Sequence, residues 1–254
     1  MKDVLSRANR DVLARFARTR VLLAFDFDGT LAPIVRDPAC AIMRPATQRL
    51  LARLVRLYPC VVISGRARAD VIRRVGKTGV RAVIGDHGME PWHPPEKPRR
   101  EVRLWARVLR QRLERRRGVT VEVKHYSVSV HYRDAQRKRE TRAAVLRAAA
   151  TLRSVRLIGG KDLVNVLPRG ARHKGVALKR ARIRWRCRTA IYVGDDETDE
   201  DVFASGDSDR LLAIRVGARR SSRAPYFVRS QGRIDALLRA LIALRTGPGS
   251  SRCD

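Results

Sequence analysis

The chain has 254 residues, of which 44% are hydrophobic and 32% are charged, and this composition excludes a disordered, collagen-like or low-complexity protein. The longest apolar runs, Val21 to Phe25 and Ala236 to Leu244, are far shorter than the roughly 20 residues of a membrane span, so we expect no transmembrane helix. Basic residues outnumber acidic ones by 56 to 25, which gives a formal net charge of +31.

This charge has two interpretations. A polyanionic partner such as nucleic acid would explain it on electrostatic grounds. However, only eight of the basic residues are lysines, and arginines such as Arg49, Arg53 and Arg56 fall on the polar faces of predicted helices, as a solvated helix face would have them. Four cysteines without paired spacing or companion histidines indicate neither a zinc site nor a disulfide framework.

The first part of the chain alternates between strands and helices, which predicts a parallel α/β sheet. In chain order, the pattern predicts a helix within the first twenty residues, a buried strand from Val21, a helix from Pro45 that stops at Pro59, a strand at Cys60 to Ile63, a helix near Ala69 to Val75 and a strand at Arg81 to Ile84.

The pattern changes after Trp92, where HPPEKP reads as a linker. Two αββ units are predicted to follow: a helix at Glu101 to Arg116 with strands at Val119 to Val123 and Ser127 to Tyr132, then a helix at Arg137 to Leu152 with strands at Val155 to Ile158 and Leu163 to Leu167. Such units suit an antiparallel sheet with helices on one face.

The α/β alternation resumes after Pro168-Arg169-Gly170. It comprises a helix from His173 to Ala181, a strand at Ala190 to Val193, a further helix, a strand at Leu211 to Val216 and a final helix. We therefore expect a core made of residues 1–92 and 170–254, with residues 93–169 inserted as a second, smaller domain.

Acidic residues follow two of the predicted parallel strands. Asp26 and Asp28 project to the same side of one strand end, and Asp195, Asp196 and Asp199 follow another. Ligands of open α/β sheets bind outside the carboxyl ends of the strands. Like charges gathered there repel unless a cation neutralises them, and oxygen-only ligands favour Mg²⁺. The alternative is a salt-bridged loop or helix-capping acids.

Several segments together resemble a known family. The run FDFDGTLAPI is similar to motif I of the haloacid dehalogenase superfamily and GDDETDEDVF to its motif IV, and Ser64 and Lys174 complete the set. The segments VVISGR, IGDHGME, VEVKHYSVSVHYR and HKGVAL resemble, in this order, segments of trehalose-6-phosphate phosphatases. The resemblance runs from about Val21 to Phe203. It implies a Rossmannoid parallel core with the inserted α+β unit (αββαββ) as its cap.

The resemblance also implies a role for each motif residue. Asp26 would be the nucleophile that forms an aspartyl-phosphate, and Asp28 the general acid and base. The Mg²⁺ ligands would come from the group Asp26, Asp28, Asp195, Asp196 and Asp199, with Asp28 contributing its backbone carbonyl. Ser64, Gly65 and Lys174 would hold the phosphate. Taken alone, Lys174 would pass for an ordinary surface lysine.

Sugar recognition is expected to lie mainly in the cap. By resemblance the substrate-binding residues are Arg66, His87, Glu90, Glu122, Lys124, His131, Arg133, Lys161 and Asn165. Each of the cap residues on its own could equally be an exposed strand residue. One departure concerns the sugar: where the family usually shows E-[IV]-[KR]-P, this chain has Asn165-Val166-Leu167-Pro168, so a carboxylate and a cation are missing.

The sequence thus predicts a cytoplasmic, Mg²⁺-dependent phosphatase that hydrolyses trehalose 6-phosphate. A phosphatase for another sugar phosphate or for a glycosyl phosphoglycerate is the alternative within enzymes. A basic nucleic-acid-binding protein on a phosphatase-like fold is the alternative from another class. No nucleic-acid motif is recognisable, however, and only 5% of the residues are aromatic and available for stacking.

Overall fold

Two β-sheets organise the chain in a computed structural model, which describes residues 1–91, 96–160, 162–205 and 208–247. The elements before residue 92 are β1 (Lys2–Asp3), α1 (Arg10–Ala17), β2 (Val21–Phe25), α2 (Pro45–Leu54), β3 (Cys60–Ile63), α3 (Arg68–Val75) and β4 (Ala82–Ile84). Those between residues 96 and 168 are α4 (Glu96–Leu113), β5 (Thr120–Val123), β6 (Val128–His131), α5 (Lys138–Ala150), β7 (Val155–Gly160) and β8 (Leu163–Pro168). The last are α6 (Lys174–Arg184), β9 (Thr189–Gly194), α7 (Glu200–Phe203), β10 (Leu211–Val216), β11 (Tyr226–Val228) and α8 (Ile234–Thr246).

The larger sheet has seven parallel strands in the order β1, β11, β10, β9, β2, β3, β4. The two central strands β2 and β9 pair in register, Phe25 opposite Val193, so the residues that follow them emerge side by side. This register brings the two acidic segments of the sequence to one edge of the sheet.

Helices cover both faces of this sheet. Leu23 and Phe25 of β2 join a core with residues of α1, α2, α3 and α8, whereas Leu22 and Ala24 face the opposite way and pack with α6 and α7. A strand buried on both sides needs a continuous apolar run, which is why β2 reads VLLAF without alternation. The predicted α/β core is confirmed.

The smaller sheet is antiparallel, in the order β5, β6, β8, β7. Val128, Val130, Val164 and Val166 point to one face, where they pack against α4 and α5. The residues between them, including Ser129 and Asn165, point to the other face, because side chains alternate along a strand. The predicted arrangement, with both helices on one face, is confirmed. The second face carries the polar side chains of Ser129, His131 and Asn165 beside the apolar Ile158 and Leu167, and we call it the polar face.

Several contacts join the two sheets. The buried Asp86 carboxylate, on the loop after β4, accepts hydrogen bonds from the Tyr126 backbone N–H (2.9 Å) and the Ser127 hydroxyl (2.7 Å) at the turn before β6. Arg156 of β7 forms an ion pair with Asp201 of α7. These contacts hold the polar face of the smaller sheet over the carboxyl ends of the larger one.

Three sequence predictions need correction. The helix predicted from Glu101 begins at Glu96, inside the expected linker, since proline is tolerated in the first turn of a helix. The helix predicted after the last acidic segment is only the short α7. The edge strand β1 and its short neighbour β11 were not predicted, because two or three residues carry no periodicity. Lys161 and the first part of the linker lie outside the described residues.

The arginines that the sequence placed on polar helix faces lie at the surface. Arg49, Arg53 and Arg56 of the α2 region are exposed, as the amphipathic pattern predicted. Among the helices that the structure describes, none combines the length and the apolar character required to cross a membrane.

Candidate active site

The nucleophile candidate lies at the end of β2, at the centre of the larger sheet. Asp26 is buried, and its backbone N–H donates to the Val193 carbonyl of β9 at 2.9 Å, so the parallel ladder fixes its position. Phe27 points into the core, and Gly29 then turns the chain with a φ of +76°. A Cβ atom at Gly29 would overlap the Asp195 carboxylate, so this close approach requires glycine.

A buried lysine joins the two acidic segments. Lys174, the first residue of α6, donates from Nζ to Asp26 Oδ1 and to Asp199 Oδ1, at 2.7 Å each. The Tyr192 hydroxyl donates to the same Asp199 oxygen at 2.6 Å, and the Asp196 backbone N–H donates to the other at 2.9 Å. These contacts contradict the surface interpretation of Lys174, whose ammonium is fixed beside the nucleophile candidate.

Three carboxylates converge into a candidate metal centre. One oxygen each of Asp26, Asp195 and Asp199 lies within 4.8 Å of the others. Burial raises the pKa of Asp26 to about 8, with Lys174 opposing the shift and Asp199 adding to it. Burial and the charges of Asp26 and Asp199 likewise raise the pKa of Asp195 to about 9. The cluster therefore favours uptake of positive charge.

The cluster fits a hard divalent cation. Asp195 Oδ1 is buried and has no hydrogen-bond partner in the part of the chain that the structure describes. A buried carboxylate oxygen in this state is costly unless a cation or proton meets it. All donors are oxygens, the set that Mg²⁺ prefers. The other predicted ligand side chains differ, since Asp196 Oδ1 accepts from the Glu197 backbone N–H at 2.7 Å and the Asp28 carboxylate faces Arg66.

The polar face of the smaller sheet supplies the second wall of the site. His131 of β6 and Glu122 of β5 are diagonal neighbours, and His131 Nε2 lies 2.8 Å from Glu122 Oε2. Lys124 donates to the Gly65 carbonyl at 3.0 Å. Arg133 donates to the Val35 carbonyl at 2.8 Å and also to that of Arg36. Cations of this face thus contact backbone carbonyls of the core loops around Asp26.

Asn165, where the chain departs from the family pattern, lies in the same wall. It pairs with Ser129 across the sheet, and the Ser129 hydroxyl donates to Asn165 Oδ1 at 2.7 Å. This bond occupies the amide oxygen. Asn165 also lines the cavity, and its amide group carries two N–H donors that a ligand hydroxyl can accept from.

His87 lines the cavity from the core loop after β4, and its ring makes no hydrogen bond to a described residue. The ring is buried. Burial, then the charges of Lys124 and Lys174, hold its pKa well below the usual value, so the imidazole is neutral. A Cβ atom at Gly65 would collide with this ring. A neutral imidazole with two free nitrogens can both donate to and accept from a ligand hydroxyl.

Three of the described residues predicted for the site do not line the cavity: Ser64, Glu90 and the fully buried Asp199. Ser64 is buried, and its hydroxyl accepts from the Arg66 backbone N–H at 3.1 Å. Glu90 Oε2 accepts from the Arg68 backbone N–H at 2.5 Å, at the first residue of α3.

The acidic cluster, the loops of the core and the polar face of the smaller sheet surround a cavity of about 350 Å³. Of the predicted site residues, those that line it are Asp26, Asp28, Gly65, Arg66, His87, Glu122, Lys124, His131, Arg133, Asn165, Lys174, Asp195 and Asp196. The loop after β2 adds an apolar wall with Ile34, Val35, Pro38 and Ala41.

Three functional candidates were missed in the sequence. Tyr192 bonds Asp199, Asp70 contacts Arg66, and the buried Arg215 of β10 donates to the backbone carbonyls of Asp195 and Asp196. A sequence signal existed for Arg215, because a cation inside the apolar run LLAIRV needs a polar partner. Arg215 thereby orients the acidic loop after β9.

Solved structures define the class to which this fold belongs. The C-terminal domain of Candida albicans trehalose-6-phosphate phosphatase aligns with a TM-score of 0.78 at 23% identity, over 92% of this chain and 97% of that one. A Bacteroides thetaiotaomicron phosphatase of the haloalkanoate (HAD) superfamily aligns with a TM-score of 0.60 at 15% identity, over 91% and 97%. The fold is that of the HAD superfamily, as the motifs predicted.

Sequence comparison is more specific. The profile of the family described as Trehalose-phosphatase matches residues 24–231. Trehalose-phosphate phosphatase of Mycobacterium tuberculosis (strain H37Rv) is 36% identical over 199 residues, which are 70% of this chain and 49% of that protein. The Mycolicibacterium paratuberculosis protein of the same name is 35% identical over 235 residues, 87% and 57% respectively. The chain belongs to the trehalose-phosphatase family, and it spans about half the length of these curated relatives.

Proposed function

We propose that this chain is a Mg²⁺-dependent phosphatase that hydrolyses trehalose 6-phosphate to trehalose and phosphate. The observation that carries the proposal is the cluster of Asp26, Asp195 and Asp199 after two adjacent strands, which contacts the buried Lys174 of α6 and opens into a cavity with a polar second wall. Family membership supports the choice of substrate, since the relatives are named trehalose-phosphate phosphatases.

In the proposed reaction, an Asp26 carboxylate oxygen attacks phosphorus and the bond to the sugar oxygen breaks, which leaves an aspartyl-phosphate. Asp28 donates a proton to the departing sugar oxygen. It then takes a proton from the water that attacks the aspartyl-phosphate, which returns Asp26 and releases phosphate. Lys174 holds positive charge beside the transferring group throughout. Mg²⁺, held by Asp26, Asp195 and Asp199, would neutralise charge on the nucleophile and the phosphate.

We further propose that residues 93–169 act as the cap that selects the sugar. Glu122, Lys124, His131 and Arg133 line the cavity from this side, and His87 faces it from the core loop. Such a set of donors and acceptors suits a molecule rich in hydroxyl groups.

The test is a phosphate-release assay on a panel of sugar phosphates, with Mg²⁺ and with chelator. We expect trehalose 6-phosphate to exceed glucose 6-phosphate by at least about tenfold in kcat/KM, which needs about 1.4 kcal/mol, or one to two hydrogen bonds to the second glucose. Chelator should remove the activity. A preference for another phosphate ester would overturn the substrate and leave the phosphatase proposal standing, whereas release from none would overturn both.

A substitution at Asn165 probes the altered sugar pocket. Asn165→Glu should raise or preserve kcat/KM for trehalose 6-phosphate, because a carboxylate still accepts from Ser129 and adds an acceptor for a sugar hydroxyl. Asn165→Leu, of similar branching, should lower it by about tenfold, because it removes the polar amide from the cavity lining and leaves the buried Ser129 hydroxyl without its acceptor. The ratio between the two variants is the measurement, and a Leu variant as active as the Glu variant would contradict a role for this position.

A further inference from the structure

The general acid candidate is held by an arginine fork. Arg66 donates from Nε to Asp28 Oδ2 at 2.6 Å and from Nη2 to Asp28 Oδ1 at 2.7 Å. A bidentate pair of this kind fixes the plane of the carboxylate as well as its distance. Sequence resemblance placed Arg66 among the substrate-binding residues, but its guanidinium contacts Asp28.

Arg66 is itself fixed by groups that belong to the core. Its Nη1 donates to Asp70 Oδ2 at 2.9 Å, and its Nη2 donates to the Pro38 carbonyl at 2.8 Å. The guanidinium lies 6.0 Å from the centroid of the Phe27 ring, and only 15% of the side chain is exposed. An arginine that is free to rotate could not orient its partner, and these contacts remove that freedom.

Asp70 is the centre of this network. It lies on α3, four residues after Arg66 and four before Arg74, and its Oδ2 atom accepts from both. Arg74 also donates to the carbonyls of Ala39 and Ala41, at 3.0 and 2.5 Å, in the loop that forms the apolar wall. Arg73 contacts the other Asp70 oxygen at 3.1 Å, but 71% of its side chain is exposed.

We propose that Asp70 is a positioning residue for Asp28 and acts through Arg66. This inference rests on the proposed phosphatase function and adds a residue to its machinery. The acid must lie within hydrogen-bond reach of the departing oxygen, and a displacement of about 1 Å can cost about a hundredfold in rate. Without the Asp70 carboxylate, the Arg66 guanidinium loses a contact that fixes it, so it can move together with Asp28 and no longer holds the Asp28 carboxyl in place. A different role for Asp70, anchoring α3 to the 37–41 loop, would affect all substrates alike.

Two phosphate esters of similar size separate these roles. Benzyl phosphate releases a basic alkoxide that needs a proton, whereas p-nitrophenyl phosphate releases a weakly basic phenolate that does not. Neither ester carries sugar hydroxyls, so contacts to a sugar cannot bias the comparison. The parameter is kcat/KM with Mg²⁺, because it reports on transfer to Asp26 and not on the later hydrolysis.

Asp70→Asn should lower kcat/KM for benzyl phosphate by about tenfold to a hundredfold and for p-nitrophenyl phosphate by less than about threefold. Asp28→Asn should show the same pattern with a larger amplitude, and Asp70→Glu should restore part of the loss. Arg73→Ala is the matched control, since it removes a partner of the same carboxylate that does not touch Arg66. It should leave both esters unchanged.

Equal losses on the two esters, or no loss on either, would overturn the positioning role while the phosphatase function stands. A wild-type protein that hydrolyses neither ester nor any sugar phosphate would overturn both proposals. Activity of Asp70→Asn on p-nitrophenyl phosphate also shows that the variant is folded. A variant that had lost its structure would lose activity on both esters equally.

Discussion

Asp26→Asn is expected to reduce phosphate release by about 10⁴-fold or more, because it removes the nucleophile. The amide keeps an oxygen that can accept from Lys174, and the backbone bond to Val193 is unaffected. Burial raises the pKa of Asp26 to about 8, so the folded protein favours the neutral form of this carboxyl, and a neutral side chain of the same shape should not lower stability in chelator. Phosphate release and thermal melting in chelator are the measurements.

The outcome separates catalysis from folding. We expect the melting temperature of Asp26→Asn to equal or exceed that of the wild-type protein in chelator. An inactive variant that melts far lower would assign Asp26 a structural role, and a variant that still releases phosphate at the wild-type rate would overturn the aspartyl-phosphate mechanism. Mass spectrometry of the wild-type protein quenched during turnover should detect one added phosphoryl group, which Asp26→Asn should lack.

The fold could be predicted because its signals are local. The unbroken apolar run of β2 and the apolar spacing of α2 each follow from burial on one or two faces, and the acidic segments mark where parallel strands end. The edge strand β1 was missed because its pairing with β11 joins residues more than 200 positions apart, Lys2 opposite Tyr226. Pairing at that separation leaves no pattern in either segment.

The candidate site divides in the same way. The two acidic segments were predicted to share one site because ligands bind outside the carboxyl ends of parallel strands, and three of their carboxylates, those of Asp26, Asp195 and Asp199, converge in the structure. The pairing of Arg66 with Asp28 was not predictable, since it joins the loops that follow two different strands, β3 and β2. For Glu90, the position in the motif predicted a contact with the sugar. In the structure its carboxylate instead accepts a hydrogen bond from the backbone N–H of Arg68, the first residue of α3.

The polar wall of the smaller sheet illustrates what alternation alone can establish. Because Val128 and Val130 are apolar, Ser129 and His131 must face the opposite side, and this much follows from the sequence. That this side lies over Asp26 depends on long-range contacts such as Asp86 with Tyr126 and Ser127. The three-dimensional arrangement therefore turns an ordinary amphipathic sheet into a candidate specificity surface.

Lys174→Met is expected to reduce both activity and stability. The ammonium is the described cation that directly contacts Asp26 and Asp199, and its loss leaves buried carboxylates without their counter-charge. Breaking a buried pair from one side costs about 3–5 kcal/mol.

The chain offers a matched control for this substitution in Lys138, which contacts Asp162 at the same distance of 2.7 Å but with 47% of its side chain exposed. Lys138→Met should cost no more than about 1 kcal/mol, because water screens an exposed pair. Denaturant unfolding of both variants in chelator measures the difference, and phosphate release with Mg²⁺ should fall by at least about a hundredfold only in Lys174→Met. Equal unfolding free energies for the two variants would show that the buried pair adds nothing to stability, and full activity of Lys174→Met would remove Lys174 from the proposed phosphate site.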